Sequence, residues 1–226
     1  MRIAVYTCIA GGYDFVREPL VIENNCDYYM VSDDENLAGE TYTWIDIDTI
    51  VPDLKMTPKD KNRYCKLHPY LLFPNYDYAI YLDGSIQIAK PIAHNIKKIG
   101  KTGLAIHRHR ERDCIYSEGI FLTWLGAVKK ELLLKDIERY IDAGVPKHFG
   151  LFECGMIVTD LKNKVGRQLY QKWYEEYLRG VKRDQQALIY VIWKMGITCS
   201  DIGDLGGKYN ILTNPDIKWS RSAHYR

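Results

Sequence analysis

The chain has 226 residues, 46% hydrophobic and 27% charged, with a formal net charge of +2; this suits one globular domain, and without a compact basic block there is no electrostatic footprint for nucleic acid. No stretch approaches the roughly 18 apolar residues of a membrane span, and the opening apolar run is too short for a signal-peptide core. The six cysteines are scattered without a C-x-x-C pair, so reduced thiols and a cytoplasmic protein are expected, free to work near a membrane without entering it.

Short β-rich apolar runs alternate with longer helical patterns, the order of an α/β sheet. The first strand, Ile3–Ile9, runs into Ala10-Gly11-Gly12-Tyr13, and a second at 27–31 ends in Ser32-Asp33-Asp34. These strand-end loops, with Thr7, Tyr13 and Asp33, suit a base and ribose or make ordinary turns; neither is a G-x-G-x-x-G fingerprint, and no Walker loop exists. A third strand is expected at 42–46 and a helix at 60–72. On that helix Arg63 and Lys66, three apart, share a face and can reach one phosphate pair; a solvated basic face is the alternative. A buried strand at 78–82 then ends in Asp83-Gly84-Ser85, delivering a carboxylate to the sheet edge where open α/β sheets bind ligands.

A strand at 104–107 opens the charged run from His107 to Glu118, read equally as a solvated loop and as an active-site loop. His107 and His109 lack two further defined metal partners. A helix follows at 127–143. Glu153 and Gly155 precede a strand at 156–159, where an unpaired buried carboxylate is costly. Helices are expected at 162–178 and at Asp184–Lys194, with Asp184 as N-cap, then a strand at 197–200 and a tail from 203 to 226 folding back over the domain.

Taken together these pieces resemble a family of GT-A glycosyltransferases, plant and bacterial, that includes pectin- and mucilage-related transferases. The matching residues are Arg63-Tyr64-x-Lys66-x-His68-Pro69 with Phe73-Pro74, Tyr81-Leu82-Asp83-Gly84-Ser85, His109-Arg110-Glu111-Arg112-Asp113-Cys114-Ile115-Tyr116-Ser117-Glu118, Gly150-Leu151-Phe152-Glu153-Cys154-Gly155 and Arg183-Asp184-Gln185. The resemblance implies a single-domain, Rossmann-like GT-A mixed sheet flanked by helices, a nucleoside-diphosphate sugar donor (a UDP-sugar by family weight), a saccharide or glycoconjugate acceptor, and a divalent metal, Mn2+ or Mg2+. Carried over by position, Asp83 meets donor and metal, with Gly84 and Ser85 beside it. Arg63 and Lys66 face the diphosphate, Glu153, Asp184 and Gln185 line the sugar site, and His109, Arg112 and Glu118 fall in the acceptor or sugar pocket. The usual Asp-x-Asp has become Asp83-Gly84-Ser85, so the metal site loses a carboxylate, and His224 in the tail is the candidate replacement.

The chemistry sets the roles. As the diphosphate leaves, the anomeric carbon gains oxocarbenium character, so cations at the leaving oxygens and an anion near the ring both lower the barrier. An inverting enzyme adds a base at the acceptor hydroxyl, for which Asp184 and Glu153 are candidates. Two further readings stand beside the transferase: a nucleotide-sugar-binding module of the same fold without turnover, suggested by the missing carboxylate, and a nucleotidyltransferase, whose glycine- and basic-rich opening loop is absent.

Overall fold

The structure is a computed structural model that describes residues 1–15 and 17–220. Its main sheet has seven strands in the order β3-β2-β1-β4-β7-β6-β8: β1 Ile3–Ile9, β2 Cys26–Ser32, β3 Thr43–Asp46, β4 Tyr78–Asp83, β6 Leu104–Arg108, β7 Phe152–Asp160 and β8 Gly203–Asp204. β1, β2, β3 and β4 run parallel, while β7 is antiparallel to both β4 and β6. A second, two-stranded sheet pairs β5, Ile86–Ile88, with β9, Ile217–Trp219.

The period-two pattern of β1 divides the core. Ala4, Tyr6 and Cys8 join a cluster with Phe73, Tyr81 and the helix residues Leu169, Trp173, Tyr177 and Leu188. Ile3 and Val5 point the other way, to Ile80, Leu82, Ile88, Met156 and Val158. Both faces are apolar because the sheet is covered on both sides.

The helices differ from the sequence expectation where local chemistry outweighs periodicity. The 60–72 helix starts earlier, as α1, Pro58–Leu67, capped by the Thr57 side chain, and gives way to a short α2, Pro69–Leu72. Pro69 lacks the N–H that would continue the ladder, and His68 before it leaves helical geometry at φ −125°, ψ 48°. The last residues of the charged run expected as a loop begin α3, Ile115–Trp124, which carries no two-faced pattern to betray it. α4 is Lys130–Asp142 and α5 is Lys164–Arg179, capped by Asn163. α6 matches its expected span, Asp184–Lys194, but the N-cap is Arg183 and Asp184 is the first helical residue. The strand expected at 197–200 is a 3₁₀ turn, Cys199–Asp201, because the Thr198 and Asp201 side chains close a capping box; the adjoining edge strand is β8. The described part of the tail is tied into the fold through β8, β9 and the buried Leu205 and Ile217.

Candidate active site

Three carboxyl ends of strands and two helix starts meet at one edge of the sheet. The β1 loop, the end of β4, the face of α1 and the start of α6 enclose a cleft of about 410 Å³ lined by Ala10, Tyr13, Lys59, Arg63, Asp83 and Arg183 among others. A second hollow of about 280 Å³ adjoins it, lined by Lys66, His109, Glu153, Gly155, Asp184 and Gln185. Arg63, Asp83, Ser85, Arg183 and Trp219 belong to both walls.

At the junction lies a buried ion network. Lys66 is 1% exposed, and its Nζ sits 2.8 Å from Asp184 Oδ2 and 3.2 Å from Asp83 Oδ1. Arg63 Nε reaches the same Asp184 oxygen at 3.3 Å. Tyr81 donates its hydroxyl to Asp83 Oδ1 at 2.8 Å, and the Tyr81 ring lies 4.9 Å from Lys66 Nζ. Burial alone would push the Asp184 carboxyl up, but the charges of Lys66 and Arg63 outweigh it and hold the group ionised, well below the usual carboxylate range. Burial likewise works against charge on Arg63 and Lys66, and Asp184 and Asp83 overcome it, raising both. Lys66 thus directs two of its three donors to carboxylates of the site.

The free positive charge lies elsewhere. Lys59, which is exposed, and Arg63, which is half-buried and already paired with Asp184, are four apart on α1 and share the first cleft with Arg183. Burial and the like charges of Arg183 and Arg63 lower the Lys59 ammonium, as expected of cations crowded around a place for an anion. Arg183 bonds the Ala127 carbonyl at 3.4 Å, while its buried Nε has no partner among the described residues. Asn62 and Arg63 are hydrogen-bonded side chain to side chain, and Asn62 also donates to the Cys8 carbonyl at 2.6 Å, fixing α1 to the β1 loop.

In the second hollow, Glu153 accepts the Ile211 amide at 2.9 Å, yet burial raises its carboxyl above the ordinary 4.5. Glu153 and Asp184, two carboxylates of one hollow, are thus driven in opposite directions. Gln185 donates to the Phe152 carbonyl at 2.8 Å. Gly155 is required by close approach: a Cβ there would lie 2.4 Å from Ile211 Cδ1 and 3.3 Å from Asp83 Oδ2.

Four further expected residues lie outside these two linings. Thr7 is buried within β1, and Asp33 grips the Gly11 amide at 2.9 Å, holding the β1 loop in its left-handed turn at φ 63°. Arg112 and the buried Glu118 form an ion pair that fastens the His109 loop to α3. His109 lines the second hollow, and its Nδ1 accepts the Arg112 amide at 3.1 Å. Lys59 and Asn62 have no site role by sequence, Tyr81 and Arg183 enter only as members of the matching motifs, and Trp219 only as an anchor for the tail; for Lys59 and Asn62 the helical spacing from Arg63 and Lys66 is the available signal.

Among the described residues no group of three His, Cys, Asp or Glu side chains could hold a metal ion, and His224 lies outside the described residues. Asp83 Oδ1 is taken by Lys66 and Tyr81, so Oδ2, turned toward Gly155, is the carboxylate oxygen left over.

The sequence profile of the TOD1/MUCI70 glycosyltransferase-like domain matches residues 1–202. The chain belongs to the TOD1/MUCI70 glycosyltransferase-like family. No curated protein sequence matches it. Among solved structures it is similar to the apo form of WbbM, a bifunctional glycosyltransferase, with TM-score 0.57 and 13% identity over 98% of this chain and 46% of that one, so it spans less than half of that protein. It is also similar to apo mouse xyloside xylosyltransferase 1, with TM-score 0.52 and 11% identity over 87% of this chain and 83% of that one. At such identities the likeness concerns the fold, which is GT-A.

Proposed function

We propose that the chain transfers a sugar from a nucleoside-diphosphate sugar, a UDP-sugar, to a saccharide or glycoconjugate acceptor. The observation that supports this most is the shared wall: three cations, Lys59, Arg63 and Arg183, crowd one cleft, while Glu153, Asp184 and Gln185 line the hollow beside it. The nucleoside lies by the β1 loop, the diphosphate against the cations, and the sugar beside the carboxylates. A cleft of about 410 Å³ is of ligand size.

Arg63 and Arg183 stabilise charge on the leaving diphosphate, in a partly dry setting where a fixed cation is effective. Asp184, held ionised, offsets positive charge growing at the sugar ring but is a poor base. Glu153, with its raised carboxyl, is the better proton acceptor for the incoming hydroxyl. The residues present fit a divalent ion of the Mn2+ or Mg2+ type held through Asp83 Oδ2 with Ser85 beside it, since such ions are often bound by one or two carboxylates together with substrate phosphates. When bound, the ion neutralises leaving-group charge. His224 is its further proposed ligand.

The test is a thermal-shift panel of nucleoside diphosphates with and without Mn2+, followed by assays of UDP-sugar hydrolysis without acceptor. Stabilisation by UDP with slow hydrolysis supports the transferase; stabilisation with no turnover of any donor points to a binding module. Asp83→Asn should leave the fold intact and lower turnover roughly a hundredfold or more; near-wild-type turnover removes Asp83 from the mechanism.

A further inference from the structure

α3 is apolar on both sides. Its inner residues Ile115, Gly119 and Leu122 are buried against the rest of the protein, as a surface helix requires. Its outer face is apolar as well: Ile120 is 70% exposed, Trp124 78% and the following Leu125 53%, with the Phe121 ring stacked on Trp124 at a centroid distance of 6.0 Å. Contiguous side chains of this size left in water mark a surface that works against something.

The border of the patch says what. Lys129 and Lys130 follow within one turn of chain, both exposed, and neither forms an ion pair among the described residues. An indole beside aliphatic side chains, edged by flexible ammonium groups, is the arrangement that settles at a bilayer interface. The ring sits at headgroup level, Ile and Leu reach below it, and the lysines meet lipid phosphates. Glu131, also exposed, offsets part of the charge, so the apolar side chains supply most of the attraction and the lysines bias it toward anionic lipid. The patch also adjoins the site, because the Arg112 guanidinium lies 4.0 Å from the Phe121 ring centroid and 3.2 Å from His109 Nε2.

We propose that the outer face of α3, with Lys129 and Lys130, docks on the surface of an anionic lipid bilayer. This does not depend on the reaction proposed above. The experiment is co-sedimentation of the full chain with phosphatidylcholine vesicles, with and without phosphatidylserine, beside Ile120→Ser/Trp124→Ser and Lys129→Gln/Lys130→Gln. The wild type should sediment with the phosphatidylserine vesicles. The apolar double variant should lose roughly tenfold or more in partitioning. The lysine double variant should lose the preference for phosphatidylserine by up to about fivefold per lysine. All three should keep the same melting temperature and donor-induced shift, which shows that loss of binding is not loss of fold. Failure of the wild type to sediment overturns the proposal. So does unchanged partitioning of the apolar variant, or a wild-type dimer that this variant dissociates without any vesicle binding.

Discussion

Two carboxylates of one hollow, Glu153 and Asp184, are tuned apart by what touches them. Asp184 has two cations within 3.3 Å, whereas Glu153 has one amide and a buried setting. A carboxyl raised above 4.5 keeps its proton to higher pH, so the rate of a reaction using Glu153 as base should climb through a limb lying above 4.5. Glu153→Gln should remove that limb and lower turnover roughly a hundredfold or more; a pH–rate profile unchanged by the substitution would relieve Glu153 of the role. Lys66 makes the complementary prediction about stability. Lys66→Met removes the cation shared by Asp83 and Asp184 and leaves Arg63 on Asp184, a loss of roughly 3–5 kcal/mol, toward the lower figure because that pair remains and the Asp83 side chain is 34% exposed. The folded-state carboxyl of Asp184 is depressed, so its stabilisation is present in full above the ordinary carboxylate range and is lost progressively as pH falls from there toward the far lower folded value. Urea unfolding of wild type and variant should therefore differ most near neutral pH, with the gap narrowing progressively as pH falls below about 4. Of these relationships the sequence showed the residue types but not the pairing, since Lys66 and Asp184 are 118 positions apart and no spacing rule links them.

At the scale of elements, α1 and the start of α6 form one cationic wall. Asp60 fastens them: it accepts from Lys182 at 2.6 Å and from Tyr177 at 3.0 Å, and Lys182 is held in a left-handed conformation, φ 55°, immediately before Arg183. Among the described residues Arg183 Nε has no partner and the guanidinium bonds the Ala127 carbonyl at 3.4 Å, so the side chain has little to lose in the free protein. Arg183→Ala should weaken UDP binding by roughly 1.5–3 kcal/mol, leave uridine binding nearly unchanged and barely move the melting temperature. Calorimetry with the two ligands checks it, and equal losses for both would mean that the wall only shapes the cleft. Arg63→Ala should weaken UDP similarly but also lower stability, because Arg63 holds Asp184. The elements themselves were unevenly legible. The spans of β1 and α6 were readable to the residue, one from its apolar run and the other from the polar Asp184-Gln185-Gln186 start to a long apolar stretch. α3 was not, because an outward Ile120 and Trp124 erase the polar stripe by which a surface helix is recognised. The buried ion pair of Glu118 with Arg112, six positions away across a loop, has no signature in the charged run that holds both residues.

The whole molecule closes over the Asp-Gly-Ser corner with its own tail. β9 pairs with β5 directly after that corner, and the Ser220 amide donates to the Ser85 carbonyl at 2.9 Å. Asn214 donates to Nε2 of the buried His107 at 2.8 Å, and Arg17 donates to the Ser220 hydroxyl at 2.6 Å. Strand and loop thus carry Trp219 to the junction of the two hollows, where it lines both while remaining 45% exposed. An indole so placed buries little in the free protein and much once a donor lies against it. Trp219→Ala should therefore weaken UDP-sugar binding roughly tenfold, the scale of one aromatic stacking contact with its buried area, while the melting temperature of the free protein stays close to wild type. Melting curves across a UDP-sugar titration read both quantities at once, because only the ligand-dependent rise reports affinity. A variant that melts lower by the same amount with and without donor would make Trp219 a structural anchor of β9. His224→Ala, assayed across a Mn2+ titration, separates the metal from this contact: it should raise the Mn2+ concentration needed for activity and leave metal-free UDP binding unchanged, whereas loss of Trp219 should weaken UDP-sugar binding with or without the ion.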